Sequence, residues 1–259
     1  MRAALLVVLL FGVAFVIAPA HAAVSPFWQE LSGSASGNGI SQTPAPMSVF
    51  DTSVAVDADG RPVVVYAEFP DETATQGPII VRRWNGSAFE TLSVSVGIGY
   101  LPQIRLAPTG EIFVAWLQDD LAGNTEIHLR QFDGTSFVEL GGSDSPGGIS
   151  GTSPGITFPF SLAVDSNGFP VVAFLAEAQS GTTDVTPTPA IIQDTLQVYV
   201  RRWNGTAWEF LGSDFTGAGA SNAVSFDSAT DGTVLHSAET PTLTIDSTGA
   251  PVVAFAYVT

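Results

Sequence analysis

Apolar residues recur along this chain in short strand-length runs, separated by tight polar turns, and the runs come in a fixed order. Ser53-Val-Ala-Val-Asp-Ala-Asp-Gly-Arg-Pro-Val-Val-Val-Tyr66 is echoed by Gln103 to Trp116, Ser161 to Phe174 and Thr242 to Phe255. Runs that are aliphatic at both alternating sets of positions and bounded by Asp and Gly predict strands covered on both faces. A second unit follows the first. In Leu196 to Gly212, two runs rich in β-branched and aromatic residues flank Asn204-Gly205, and near-copies surround Asn85-Gly86 and Asp133-Gly134. This predicts a hairpin closed by a two-residue type I′ turn. In that register Arg201 faces Trp208, Arg82 faces Phe89 and Arg130 faces Phe137, an arginine against an aromatic ring in every copy. The same register sets His128 opposite Glu139.

Together the two units make a repeat of four strands, which in the third copy span about 161–165, 170–176, 196–203 and 206–211. Three repeats (about 52–92, 101–141 and 160–212) precede a partial one at 241–259, and Phe27 to Ser32 matches a fourth strand standing alone at the front. The fold class predicted is all-β, a β-propeller of four-stranded antiparallel blades. About four blades are expected, the last truncated after its second strand. The propeller is therefore expected to be incomplete and the chain a fragment of a longer array. The segments 164–174 and 200–208 resemble the repeats of secreted bacterial β-propeller proteins of the broad sialidase-like and kelch-like group. The resemblance implies an architecture rather than an activity, because one propeller fold hosts enzymes, lectins and scaffolds. No sialidase Phe/Tyr-Arg-Ile-Pro motif is present, and Arg61-Pro62 is only a piece of one.

Arg2, the apolar run from Ala3 to Ile17 and Ala20-His21-Ala22 read as a signal peptide over 1–22. The repeat domain, 23–259, is then expected in a secreted or periplasmic protein with no membrane span of its own. There is no cysteine, so a disulfide framework is excluded, and the net charge is −17 with arginine as the sole basic residue type besides histidine. Such a field disfavours nucleic acid and anionic lipid as partners.

Candidate chemistry is sparse. Asp57, Asp165 and Asp246 invite a calcium reading, but the matching turn of the second repeat, Ala107-Pro108-Thr109-Gly110, has no acid. A tight turn capped by Asp is preferred, and no cofactor is expected. Asn85-Gly86-Ser87 and Asn204-Gly205-Thr206 fit the glycosylation pattern and are read as turns. After the leader only His128 and His236 remain for a nucleophile–base pair, so no catalytic residue is assigned.

The chain's direction puts the tight turns at one end of the strands and the long connections at the other. That second end is acidic: Glu68, Asp71, Glu72, Asp119, Asp120, Glu126, Glu177, Asp184 and Asp194 lie in or beside the connections between second and third strands. Asp144, Asp214, Asp227 and Asp231 lie in the connections between repeats. Ligand binding is assigned to Glu68, Asp71, Glu72, Asp119, Asp120, Glu177 and Asp184. The leading expectation is a non-catalytic extracellular binding or cell-surface interaction module for a carbohydrate or protein ligand. The alternative is a carbohydrate-active enzyme, a glycoside hydrolase or sialidase-like protein, using carboxylates on that face.

Overall fold

The computed structural model describes residues 30–151, 156–177, 196–212 and 237–258. Residues 1–29, where the signal peptide and the lone front strand are expected, Asp184, Asp194, Asp214, Asp227, Asp231 and His236 lie outside the described residues, as does the Glu177 side chain. Among the described residues every element is a strand and every pairing is antiparallel. None forms a helix long and apolar enough to cross a membrane.

The first repeat forms β1 (Ser48–Val56), β2 (Pro62–Phe69), β3 (Gly77–Trp84) and β4 (Phe89–Ser93). The second forms β5 (Ile98–Leu106), β6 (Ile112–Asp119), β7 (Thr125–Phe132) and β8 (Phe137–Glu139). The third forms β9 (Ile156–Val164), β10 (Pro170–Glu177), β11 (Leu196–Trp203) and β12 (Trp208–Phe210), and β13 (Ser237–Ile245) pairs with β14 (Pro251–Val258) as a separate hairpin. A two-rung ladder, Gly77↔Gly99 and Pro78↔Ile98, joins the first sheet to the second. It exists because neither glycine carries a side chain: a Cβ on Gly99 would lie 2.1 Å from the Leu117 carbonyl oxygen.

The sheets stack face to face, which explains strands that are aliphatic on both sides. Val63, Val65, Ile79 and Val81 of the first sheet pack with Ile104, Val114 and Trp116 of the second. The other face of the second sheet, with Phe113, Ala115 and Leu129, packs on Leu162, Val172, Phe174 and Tyr199 of the third. Ala163, Val171 and Val200 then meet Leu243 of β13. Burial of such side chains contributes about 1.5–3 kcal/mol each, so these interfaces dominate stability. The inner strands β1, β5, β9 and β13 stand side by side.

The hairpin register differs from the expectation by two residues. Trp203 pairs with Trp208, Trp84 with Phe89 and Phe132 with Phe137. The loops are therefore four residues long. The Asn85, Asp133 and Asn204 side chains accept from N–H groups two and three positions on, at 2.8–3.0 Å. These bonds favour a longer turn over the two-residue one.

The recurring Arg–aromatic pair is corrected accordingly: the conserved cross-strand pair is ring on ring, with centroids 5.1–5.9 Å apart. Arg201 stacks on Phe210 instead (4.6 Å) and donates to the Trp208 carbonyl (2.9 Å). Glu139 likewise faces Arg130 and not His128, which is paired with Trp116.

The Asp turns behave as capped turns. Asp57 accepts from Asp59 and Arg61 N–H, Asp165 from Asn167 and Phe169, and Asp246 from Thr248 and Ala250 (2.8–3.0 Å). At the front, Glu30 and Leu31 lie in no strand, and Ser32 opens a series of turns.

Candidate functional site

Each inner strand breaks step at the same place. In β1, Asp51 and Thr52 together oppose Tyr66, between the pairs Phe50↔Ala67 and Ser53↔Val65; in β5, Leu101 and Pro102 do so opposite Trp116. In β13 the break falls at Thr240 and Pro241. The first bulged residue is left-handed each time, φ being 52° at Asp51, 49° at Leu101 and 44° at Thr240. In β9 the corresponding residue is Pro159, whose ring forbids positive φ. There the ladder jumps from Ser161↔Ala173 to Thr157↔Leu175, a wider break.

The residue after each bulge links one inner strand to the next. Ser53 Oγ accepts from Ile104 N–H (3.4 Å), Gln103 accepts from Leu162 N–H (3.0 Å) while donating to the Phe160 carbonyl (2.6 Å), and Ser161 Oγ accepts from Leu243 N–H (3.1 Å). Free edge N–H groups of inner strands are satisfied in this way.

These bulges border an open pocket of about 240 Å³ lined by Asp51, Thr52, Ser53, Leu101, Pro102, Gln103, Pro159 and Phe160. Sequence reasoning missed it, because the three inner strands meet only in space. Asp51 is exposed, and one of its oxygens accepts from Leu101 N–H (3.1 Å). It is the one carboxylate among the lining residues. A left-handed Asp is among the cheaper non-glycine choices, since its short polar side chain tolerates that conformation.

Of the assigned acids among the described residues, Asp119 is the one joined to this pocket's edge by hydrogen bonding. Tyr100, next to Leu101, donates to Asp119 Oδ1 (2.9 Å), and Thr125 donates to the same oxygen (2.7 Å). The Asp119 backbone is held from the first repeat, its N–H donating to Gln76 Oε1 (3.0 Å). Burial lifts the Tyr100 phenol above its ordinary value, opposed by its Thr125 contact and reinforced by Asp119, so the phenol is a proton donor.

Glu68 is partly exposed near the end of β2. It adds to the rise of the Tyr66 phenol to about 12, which burial causes first and Arg82 opposes. Asp71 and Asp120 are occupied as loop caps: Asp71 accepts from Thr73 and Ala74 N–H (2.8 and 3.1 Å), Asp120 from Ala122 and Asn124 N–H (both 2.8 Å). The Thr73 hydroxyl on Asp71 and the Asn124 side-chain amide on Asp120, with these backbone bonds, hold both carboxyls below the ordinary range. Glu72 is exposed in the same loop as Asp71.

A second polar cluster is buried within the second repeat. His128 Nδ1 lies 3.2 Å from Asp144 Oδ1 and Nε2 lies 3.7 Å from Glu126 Oε2, with the imidazole stacked on Trp116. Asp144 also accepts from Arg130 Nε (2.8 Å), and Glu126 accepts from Gly147 N–H (2.7 Å). Burial alone would raise the Asp144 carboxyl; the His128 and Arg130 hydrogen bonds and charges outweigh it and hold it low. Every polar partner in this cluster is internal, so it anchors the segment 141–150 to β7. It is not a nucleophile–base pair.

No family model and no curated protein matches the chain. Among solved structures, a protein of unknown function from Dyadobacter fermentans DSM 18053 superposes with a TM-score of 0.51 at 11% identity, over 83% of this chain and 64% of that one. A thermostable family-43 glycoside hydrolase follows at 0.40 and 10%, over 79% and 62%. A Penicillium chrysogenum α-L-arabinanase complexed with arabinobiose gives 0.33 and 11%, over 82% and 77%. The chain thus spans less than two thirds of the first two. At these identities the likeness concerns fold alone, and the fold is all-β, built of stacked antiparallel sheets. The expectation of a non-catalytic binding module is corrected by this set, whose members with a stated activity are predominantly glycoside hydrolases.

Proposed function

We propose that this chain is a carbohydrate-active protein of the glycoside hydrolase class, secreted or periplasmic, working at the pocket between its inner strands. The observation that carries the reading is Asp51. In a chain built from copies, chemistry is expected where one copy departs from the others. The bulge column reads Asp51, Leu101, Pro159 and Thr240, with one carboxylate among aliphatic, cyclic and hydroxyl residues.

The walls suit a sugar ring: Thr52 and Gln103 offer groups that bond hydroxyls, and Pro102, Pro159 and Phe160 offer apolar surface for C–H faces. A volume of about 240 Å³ is below the ~300–1,000 Å³ of drug-sized sites and fits a single residue of a glycan. Glycoside cleavage needs a second carboxyl, one group protonating the leaving oxygen while the other attacks or activates water. Asp119, joined to the pocket wall through Tyr100, is assigned that place. The four sheets are read as propeller blades, β13–β14 being the inner half of the last.

The test is hydrolysis of aryl glycosides, beginning with α-L-arabinofuranosides and β-D-xylosides. Cleavage that falls about 10²–10⁴-fold in Asp51→Asn with an unchanged melting temperature is the expected result. Cleavage that Asp51→Asn leaves intact overturns the assignment.

A further inference from the structure

Two residues past the side chains that tie the inner strands together, the column reads Ala55, Arg105, Ala163 and Thr244. One copy carries a guanidinium where the others carry small side chains. Alternation along β5 puts Arg105 on the same face as Gln103, about 6–7 Å further along the strand, and therefore toward β9. Its cross-strand partner Phe113 packs on the third sheet from that face.

Arg105 is partly buried and donates to the carbonyl of its own neighbour, Ile104 (2.7 Å). Among the described residues that is its one hydrogen bond, and no carboxylate pairs with it. Burial pushes the guanidinium down, and no neighbouring charge offsets the push. The other partly buried arginines among the described residues are better served. Arg83, Arg130 and Arg202 meet Glu90, Asp144 and Glu209, and Arg82 and Arg201 each donate to two carbonyls elsewhere in the chain. A buried cation without a counter-charge is costly, so this one is a place where an anion is stabilised.

The backbone of β9 adds a second donor at the same level. Leu162 N–H points away from β10 to reach Gln103, and residues two apart in an antiparallel ladder share that direction. Val164, which is in register with Leu162 in that ladder, therefore turns its N–H the same way. Ile104 likewise turns its N–H away from β6, toward Ser53, and its carbonyl with it; the guanidinium held on that carbonyl thus lies at the free edges of the inner strands. Gln103 stands level with Leu162, and Arg105 with Val164. At the first level an amide oxygen receives the N–H. At the second the side chain is itself a donor, so two donors face one space.

We propose that Arg105 and the Val164 N–H hold a small oxyanion, one oxygen on the guanidinium and another on the strand edge. The chain's net charge of −17 repels anions at long range, so the attraction is local. The oxyanion is either free in solution or the carboxylate of a sugar acid, since Gln103, two residues before Arg105, also lines the pocket. The second source rests on the reading of that pocket as a sugar site; the first does not.

The test is thermal unfolding of the full chain with acetate, phosphate, D-glucuronate or D-glucose at equal ionic strength, so that screening is constant. An anion that binds the folded chain raises the melting temperature. A rise with acetate or phosphate as well as glucuronate supports a site for free anions, and a rise with glucuronate alone supports a sugar acid. In Arg105→Gln the same rise is expected to need about 10–100-fold more anion. Crystals of the parent chain soaked in selenate give an independent readout, an anomalous peak between Arg105 and Val164 being expected.

No rise with any of the three anions, a rise that glucose matches, or a rise that Arg105→Gln retains overturns the proposal, as does selenate absent from that position. None of these readouts requires catalysis, so their failure is distinct from cleavage that survives Asp51→Asn.

Discussion

Gln103→Ala is the substitution that most sharply tests how the inner strands are held together. The Gln103 amide spans from β5 to β9, giving one hydrogen bond to the Phe160 carbonyl at 2.6 Å and taking one from Leu162 N–H at 3.0 Å. Alanine removes both and leaves two backbone groups of β9 without partners, Leu162 being fully buried. A hydrogen bond is worth about 0.5–1.5 kcal/mol net, and a buried group left unmade costs about 1–3 kcal/mol. Gln103 also lines the pocket, so water reaches the Phe160 carbonyl more readily than Leu162 N–H. Counting the first at the low end and the second near the middle gives a loss of about 2–4 kcal/mol. At about 2–4 °C per kcal/mol for a domain of this size, the melting temperature falls by roughly 4–16 °C.

Urea titration and calorimetry measure this directly. Gln103→Glu supplies a built-in control: the carboxylate still accepts from Leu162 but repels the Phe160 carbonyl, so its deficit shrinks at a pH low enough to protonate it. A loss below about 0.5 kcal/mol for Gln103→Ala would refute the idea that these side chains tie neighbouring sheets together.

Two further outcomes follow from particular contacts. Gly99→Ala drives a methyl to 2.1 Å of the Leu117 carbonyl and 2.4 Å of the Trp116 ring, so it should destabilise by about 2–3 kcal/mol in urea titration. The buried Trp116 fluorescence should shift to the red in the same variant. Asp144 has a folded pKa below its ordinary 3.8; the stability it contributes is present above that ordinary value and is lost as pH falls through the lower folded one. Asp144→Asn should therefore be less stable than the parent at pH 7 and converge on it as pH falls through the folded pKa in paired denaturation curves; a constant gap at all pH values would contradict the His128–Asp144–Arg130 linkage.

How much of this was legible in the chain depends on the range of the interaction involved. The aliphatic runs at 62–67, 112–117 and 170–176 announce strands buried on both faces, because sheet stacking leaves no polar side. The Asp-Gly turns were equally readable, being local hydrogen bonding between Asp57, Asp165 or Asp246 and N–H groups two and four residues on.

The hairpin register was missed because Asn-Gly suits a two-residue turn as well. What tips it is the Asn or Asp side chain reaching N–H groups two and three positions on, as Asn85 does to Ser87 and Ala88. The bulges left no sequence signal, since Asp51, Leu101 and Thr240 are neither glycine nor asparagine and share no side-chain type.

The acids assigned to a loop face divide once placed. Asp71 and Asp120 shape their own loops, Asp119 is wired to Tyr100, and the carboxylate at the shared pocket, Asp51, was not among them. The Glu126–His128–Asp144 cluster was visible only as scattered residues because it forms across a hairpin and the connection that follows it.

The measurement that bears most directly on the central claim is a crystal structure of the chain soaked with arabinose or xylose. The account predicts one sugar ring between the bulges of β1, β5 and β9, with a hydroxyl or ring oxygen within hydrogen-bonding distance of Asp51. A sugar bound only on the outer loops around Asp71 and Asp120, with the pocket beside Asp51 filled by water, would contradict it.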